Sequence, residues 1–309
     1  MFRWRLPVAT LLIVALVALG YLDHHAAVPC VWLAPALVVF VALATHELLR
    51  LCNRVGLKPP AALAYCGTVL VALSPCAALL ARGGNIASSG NCPSPSGSSL
   101  LLAYGSAWTL VALVACVMTA LVAEMVRYQT PGRSTANLAA CLAVINYLGL
   151  TLSFAVELRL RWGVGALASA ILVAKMADTG AYAAGKSLGR HPLATRLSPS
   201  KTWEGVLGAF ALGLVASWVA FQYLVPTHSP APVPSPASFP YGWAIYGLLI
   251  TGAGVVGDLA ESLLKRDAQC KDSSTWIPGL GGVLDMLDSV LFAAPVAYLS
   301  WQFGLVQLP

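Results

Sequence analysis

Residues 164–184 read VGALASAILVAKMADTGAYAA. A helix of about 20 such residues rises roughly 30 Å, the thickness of the hydrocarbon core of a bilayer. The stretch therefore predicts a membrane-spanning helix, and it decides the fold class because the pattern recurs along the chain. The 309 residues are 58% apolar and 10% charged, with a mean hydropathy of +0.77, whereas soluble domains run near 25% charged. Apolar runs predict nine spans: Leu6 to Leu22, Val31 to Leu48, Ala61 to Leu80, Leu100 to Val122, Leu138 to Val156, Val164 to Ala184, Val206 to Val225, Trp243 to Leu264 and Leu287 to Val306. The expected fold is all-α, a polytopic integral membrane helix bundle. Nine spans leave no room for a large soluble domain, so any chemistry must use short loops and helix ends.

Basic residues orient the bundle, because cytoplasmic loops carry the excess of Lys and Arg. With the N-terminus inside, fourteen of the eighteen fall on the inner side, and outside lie only Arg82, Arg159 and Arg161. Lys175 is within a span. The expected topology is N-in and C-out, in the cell inner membrane. Arg3 and Arg5 before a short apolar core also fit a signal peptide, but the first span is expected to be retained. The net charge of +6 reads as this bias and as attraction to anionic lipid, and nucleic acid is not an expected partner. Most of the eight Cys lie in or beside apolar spans; Cys30 and Cys92 are the one pair placed to meet on the outer side.

Polar content shifts toward the C-terminal half, which divides the chain into scaffold helices, 1–160, and a catalytic region with cytoplasmic motif loops, 161–309. Charges within spans need a reason, since each costs about 2.5–3.5 kcal/mol on insertion scales. Lys175 and Asp178 stand three apart on one helical face, as a mutual ion pair or as ligands. Glu47 and Glu124 are expected as solvated helix ends. The most polar stretch is GDLAESLLKRDAQCKDSSTWIPGLGGVLDMLDS, residues 257–289, which follows the Gly-rich TGAGV. Asp258, Glu261 or Ser262, and Lys265 share one face, and Asp285 and Asp288 stand three apart at the start of the last span. Acids near a helix start also act as dipole partners. Four acids from two helix ends with basic groups between them fit another purpose: Mg²⁺ on hard oxygen ligands, with cations holding phosphates. Gly279, Gly281 and Gly282 form either a turn or an N–H nest for phosphate oxygens. In GKSLGRHPLATRLSPSKTWEG, residues 185–205, Thr202 with Glu204 forms a helix-start cap, or Ser198 and Lys201 bind anionic oxygens.

These residues resemble the phosphatidate cytidylyltransferases. Ser262, Lys265, Arg266, Lys271, Asp272, Ser274, Ile277, Pro278, Gly281, Gly282, Asp285 and Asp288 match the family pattern in order and spacing, and DTGAYAAGKSLGR and LSPSKTWEG resemble its upstream block. Leu280 stands where the family has His, and Met286 where it has Arg, which removes a phosphate donor or proton carrier and a bidentate phosphate clamp. The resemblance implies that CTP and phosphatidate give CDP-diacylglycerol and pyrophosphate. It implies Asp258 and Asp285 as Mg²⁺ ligands with Glu261 and Asp288 in or beside the shell. Asp258, Asp285 and Lys265 are then the catalytic residues. Lys265, Arg266 and Lys271 hold the triphosphate, with Asp272, Gly281 and Gly282 in the same motif, while Ser198 and Lys201 meet the lipid phosphate or CTP and Asp178 lines the cavity. The partners implied are CTP, phosphatidate and membrane lipids, with a homodimer as one open assembly.

Three other readings stand beside this one: a CTP-using enzyme acting on another lipid, an ion-coupled transporter with Asp178, Asp258 and Glu261 as midplane ligands, and a catalytically silent relative. Leu280→His is expected to leave turnover undiminished in an assay of CMP transfer from CTP to phosphatidate; a large loss would mean that the pocket has been rebuilt around Leu.

Overall fold

The computed structural model describes residues 2–81, 95–128, 131–228, 241–274, 276 and 281–306. Cys92, Gly279 and Leu280 lie outside these residues. Apart from one short hairpin, the regular structure among the described residues is helical: α1 (Phe2–His24), α2 (Leu33–Arg54), α3 (Ala61–Ala81), α4 (Pro95–Arg127), α5 (Ser134–Val144), α6 (Thr151–Leu188), α7 (Trp203–Val219), α8 (Val225–His228), α9 (Gly242–Asp267) and α10 (Val283–Gln302). Among the described residues, six helices are long and apolar enough to cross a membrane. One of them joins α5 to α6 through a π turn at Ile145–Leu150 and runs for 55 residues, Ser134–Leu188. Gly163, with φ 88° and ψ −177°, interrupts it in a conformation that glycine tolerates, between the stretches that the sequence reads as two spans.

The chain forms two compact units, Met1–Glu157 with Asp272–Leu284, and Leu158–Lys271 with Asp285–Pro309. In the first, polar side chains link apolar helices. Thr45 of α2 meets Thr68 of α3 at 3.1 Å, Ser74 of α3 meets Thr109 of α4 at 2.9 Å, and His46 meets the Tyr65 hydroxyl at 2.7 Å. In apolar surroundings such hydroxyls must find partners, and here each finds one on a neighbouring helix.

Glu47 departs from the sequence expectation. α2 continues past it to Arg54, so it does not end the helix, and its side chain is completely buried. Its carboxylate accepts hydrogen bonds from the Ser273 hydroxyl at 2.9 Å, the Ser274 hydroxyl at 2.6 Å, and the backbone N–H groups of Val283 and Leu284 at 3.0 and 2.8 Å. The last two open α10 and have no carbonyl within their own helix to accept them, and the negative charge meets the positive end of the helix dipole. Gly282 makes room for this, because a Cβ there would run into Ser273 and Glu47. Glu124 also departs: it is buried, 7% exposed, and paired with Arg127 at 3.3 Å.

The second unit holds an apolar core that includes Leu158, Val173, Phe221, Tyr246, Ile250, Ala297 and Trp301. Buried Tyr246 fills it, and its hydroxyl meets Ser169 at 3.0 Å. Glycines set close helix spacings: a Cβ at Gly180 of α6 would strike the Gly208 backbone of α7, and one at Gly247 of α9 would meet the Ser217 side chain of α7 at 2.9 Å. Between α6 and α7, Pro192–Ala194 (β1) pairs antiparallel with Ser198–Thr202 (β2).

Removal of the buried Glu47 carboxylate leaves four donors without their acceptor. Glu47→Ala is expected to destabilise the protein by about 3 kcal/mol, with Glu47→Gln in between, since one side-chain oxygen still accepts. Thermal unfolding in detergent reads this as a fall of several degrees; an unchanged midpoint would contradict it.

Candidate active site

Two helices that carry carboxylates pack at glycine. A Cβ on Gly257 of α9 would lie 2.5 Å from the Asp288 backbone oxygen and 3.2 Å from the Phe292 side chain of α10, and one on Gly254 would lie 3.5 Å from the Ser289 side chain. Only a residue without a side chain lets the α10 backbone come so near at 257. The approach places Asp258, next in the chain, beside Asp288. Glu261 follows Asp258 by three residues and so faces the same way.

Asp258, Glu261 and Asp288 each offer an oxygen, and these atoms all lie within 4.8 Å of one another. Glu261 is completely buried and Asp288 is 8% exposed. Carboxylates this close and this dry repel one another and lose hydration, so they require cations nearby. Lysines from α6, β2 and α9 supply them. Lys201 lies 2.6 Å from Asp258. Lys265 lies 3.1 Å from Glu261 and 2.8 Å from Asp285. Lys175 lies 3.0 Å from Asp178 and 3.7 Å from Asp288. Ser289 completes this last group: its hydroxyl lies 2.8 Å from the Lys175 amine and donates to Asp178 at 2.9 Å.

One oxygen of this set is unmatched. Glu261 Oε2 takes Lys265, but Oε1 is buried with no hydrogen-bond partner. A buried acceptor left open costs about 1–3 kcal/mol, more when charged. A hard divalent cation suits both this oxygen and the carboxylate set. The residues therefore fit a magnesium-type ion through Asp258, Glu261 and Asp288.

The hairpin before α7 brings Lys201 to this cluster. Thr202 caps α7, its hydroxyl accepting from the Gly205 N–H at 3.1 Å, so the cap reading holds for Thr202. Glu204 turns instead to His191, at 2.6 Å, and to the backbone N–H groups of Arg190 and His191. Arg266 donates to the Leu197 carbonyl at 3.0 Å, tying the end of α9 to the hairpin. Ser198 is half-buried on the strand that carries Lys201.

Of the residues singled out from sequence, the structure gathers Asp178, Asp258, Glu261, Lys201, Lys265, Asp285 and Asp288 in one unit. Asp285 is not one of the three convergent acids but is joined to Glu261 through Lys265, from which it accepts at 2.8 Å. Lys271 is exposed in the same unit. Asp272, Gly281 and Gly282 belong to the other unit, where the anion at the first amides of α10 is Glu47. Sequence reasoning pairs Lys175 with Asp178 but misses its link to Asp288 and Ser289. The available signal is a lysine three residues from an aspartate in an apolar helix.

Comparison with known proteins adds to this geometry. The sequence model of the Cytidylyltransferase family matches residues 4–303. The chain is 39% identical over 158 residues to a phosphatidate cytidylyltransferase of Bacillus subtilis, covering 49% of this chain and 54% of that protein. It is 38% identical over 123 residues to that of Haemophilus influenzae, covering 38% of this chain and 39% of the relative. To that of Mycobacterium tuberculosis it is 30% identical over 171 residues, covering 55% and 49%. The chain thus spans about half the length, or less, of these curated relatives. With a family match across nearly its whole length, the chain belongs to the cytidylyltransferase family.

Proposed function

We propose that the protein is a CTP:phosphatidate cytidylyltransferase, making CDP-diacylglycerol and pyrophosphate for phospholipid synthesis. The observation that carries this reading is the carboxylate set of Asp258, Glu261 and Asp288, with its unmatched buried oxygen, flanked by Lys201 and Lys265. The relatives named phosphatidate cytidylyltransferase support the choice of CTP and phosphatidate as substrates.

In this reading a lipid phosphate oxygen attacks the α-phosphorus of CTP. A new P–O bond forms, the bond to the bridging oxygen breaks, and pyrophosphate leaves with its electron pair. A phosphate monoester is already ionised near neutral pH, so the step needs placement and charge neutralisation more than a base. Asp258, Glu261 and Asp288 would hold Mg²⁺, which when bound neutralises and orients phosphate oxygens. Lys265, fixed between Glu261 and Asp285, presents its charge to the triphosphate, together with Arg266 and Lys271. Lys201 and Ser198 meet the lipid phosphate or CTP from the hairpin. Asp285 acts through Lys265, and Asp178 acts beside Asp288 through Lys175.

The site works at the cytoplasmic face of the inner membrane, where CTP is found, within a chain that crosses nine times, N-in and C-out. The break at Gly163 supports this count, because it lets the Ser134–Leu188 helix supply two crossings. The excess of Lys and Arg in the inner loops supports the orientation. Residues 161–309 then form the catalytic region on a scaffold of residues 1–160.

Purified protein is expected to release pyrophosphate from CTP only with both phosphatidate and Mg²⁺. Asp258→Asn, Asp285→Asn and Asp288→Asn are each expected to lower the rate at least ~100-fold, the scale of losing one transition-state charge partner, with the thermal midpoint retained. Release without phosphatidate, faster reaction with an isoprenoid alcohol, or undiminished turnover in Asp288→Asn would contradict the assignment.

A further inference from the structure

Two cysteines of the first unit meet far from the carboxylate cluster in sequence. Cys30 lies in the connection between α1 and α2, and Cys76 lies near the end of α3. Both are free thiols, and the Cys76 side chain is hydrogen-bonded to that of Cys30. A thiol is a weak donor, and the local structure holds Cys30 more firmly than such a contact requires. Cys30 is 5% exposed and has a φ of 68°, a left-handed conformation that residues other than glycine seldom adopt. Its N–H donates at 3.3 Å to the carboxylate of completely buried Asp23, which also accepts from the Trp32 N–H at 3.2 Å. Asp23, in the last turn of α1, thus fixes the turn that sets Cys30 against α3.

Both thiols are on one side of the bilayer. α2 runs away from Cys30 and α3 runs back, so the end of α3 returns to the α1–α2 connection. The turn between α2 and α3 carries Arg50, Arg54 and Lys58, against Arg82 alone in the two connections on the cysteine side. In the proposed N-in orientation the cysteine side is the outer one, where disulfides form and persist. The sequence pairs Cys30 with Cys92, which lies outside the described residues; the contact seen is with Cys76.

We propose that Cys30 and Cys76 form a disulfide on the outer side of the membrane, made by exchange with a disulfide-bearing oxidant there. This rests on the proposed orientation and not on the activity. The thiolate of Cys76, the less buried of the two, attacks one sulfur of the oxidant's disulfide and releases the other as a thiolate. The Cys30 thiolate then attacks the Cys76 sulfur and releases the second. The two cysteines lose two electrons and two protons, and the oxidant's disulfide becomes two thiols. The bond closes α2 and most of α3 into one covalent loop, which restrains the unfolded chain.

The test starts from membranes of bacterial cells making the full chain, dissolved in denaturant with N-ethylmaleimide to cap free thiols. The protein is then digested without reductant for mass spectrometry. The expected result is a Cys30 peptide joined to a Cys76 peptide and released by reduction, with Cys52, at the opposite turn, fully alkylated. The thermal midpoint of the purified wild type is expected to fall by several degrees on reduction, while those of Cys30→Ala and Cys76→Ala do not respond to reductant. A link from Cys30 to Cys92 would overturn the inference. Thiols found free in membranes that close in detergent under oxidised glutathione would overturn it by placing the pair on the inner side; thiols that stay open in both would overturn it by removing the contact. Should either alanine variant fail to fold, the peptide map of the wild type still decides.

Discussion

A carboxylate buried among apolar helices must be answered by a cation or by hydrogen-bond donors, because water is not there to do it. Around α9 and α10 this constraint has arranged the unit. Gly257 brings two acid-bearing helices together, and each acid then takes a lysine from a different place: α6, the hairpin strand before α7, or α9 itself. The hairpin matters for the same reason, since it delivers Lys201 to Asp258 while Thr202 caps the helix that follows.

Glu47 and Glu261 show the two outcomes of that constraint. Both are completely buried. Glu47 meets four donors, two hydroxyls and two helix-opening amides, and its oxygens are fully used in holding the start of α10. Glu261 meets one lysine and keeps an oxygen open. A structural carboxylate closes its hydrogen bonds within the protein; one built for a ligand leaves a position to be filled. The proposed divalent site rests on this difference between the two glutamates.

Much of this was legible in the sequence, and the limits have physical causes. Apolar length identifies the helices, and the acids at 258, 261, 285 and 288 declare themselves by being charged at the ends of apolar runs. The Gly-rich turn of α9 announces a close approach, but not which helix approaches. Pairings across the fold carry no local signal: the partners of Glu47 lie 226 to 237 residues further along the chain, and nothing in α2 points to them. A glutamate near the expected end of an apolar run therefore reads as solvated until the packing is known. That Lys265 ties Asp285 to Glu261 is likewise a matter of tertiary geometry.

The most direct test of the account is to locate a divalent ion. Crystals of the protein grown with Mn²⁺ should give an anomalous peak within about 2.2 Å of carboxylate oxygens from Asp258, Glu261 and Asp288. A peak elsewhere, or none at saturating Mn²⁺ with these three side chains ordered, would contradict the central claim that the acids of α9 and α10 converge to hold a metal ion.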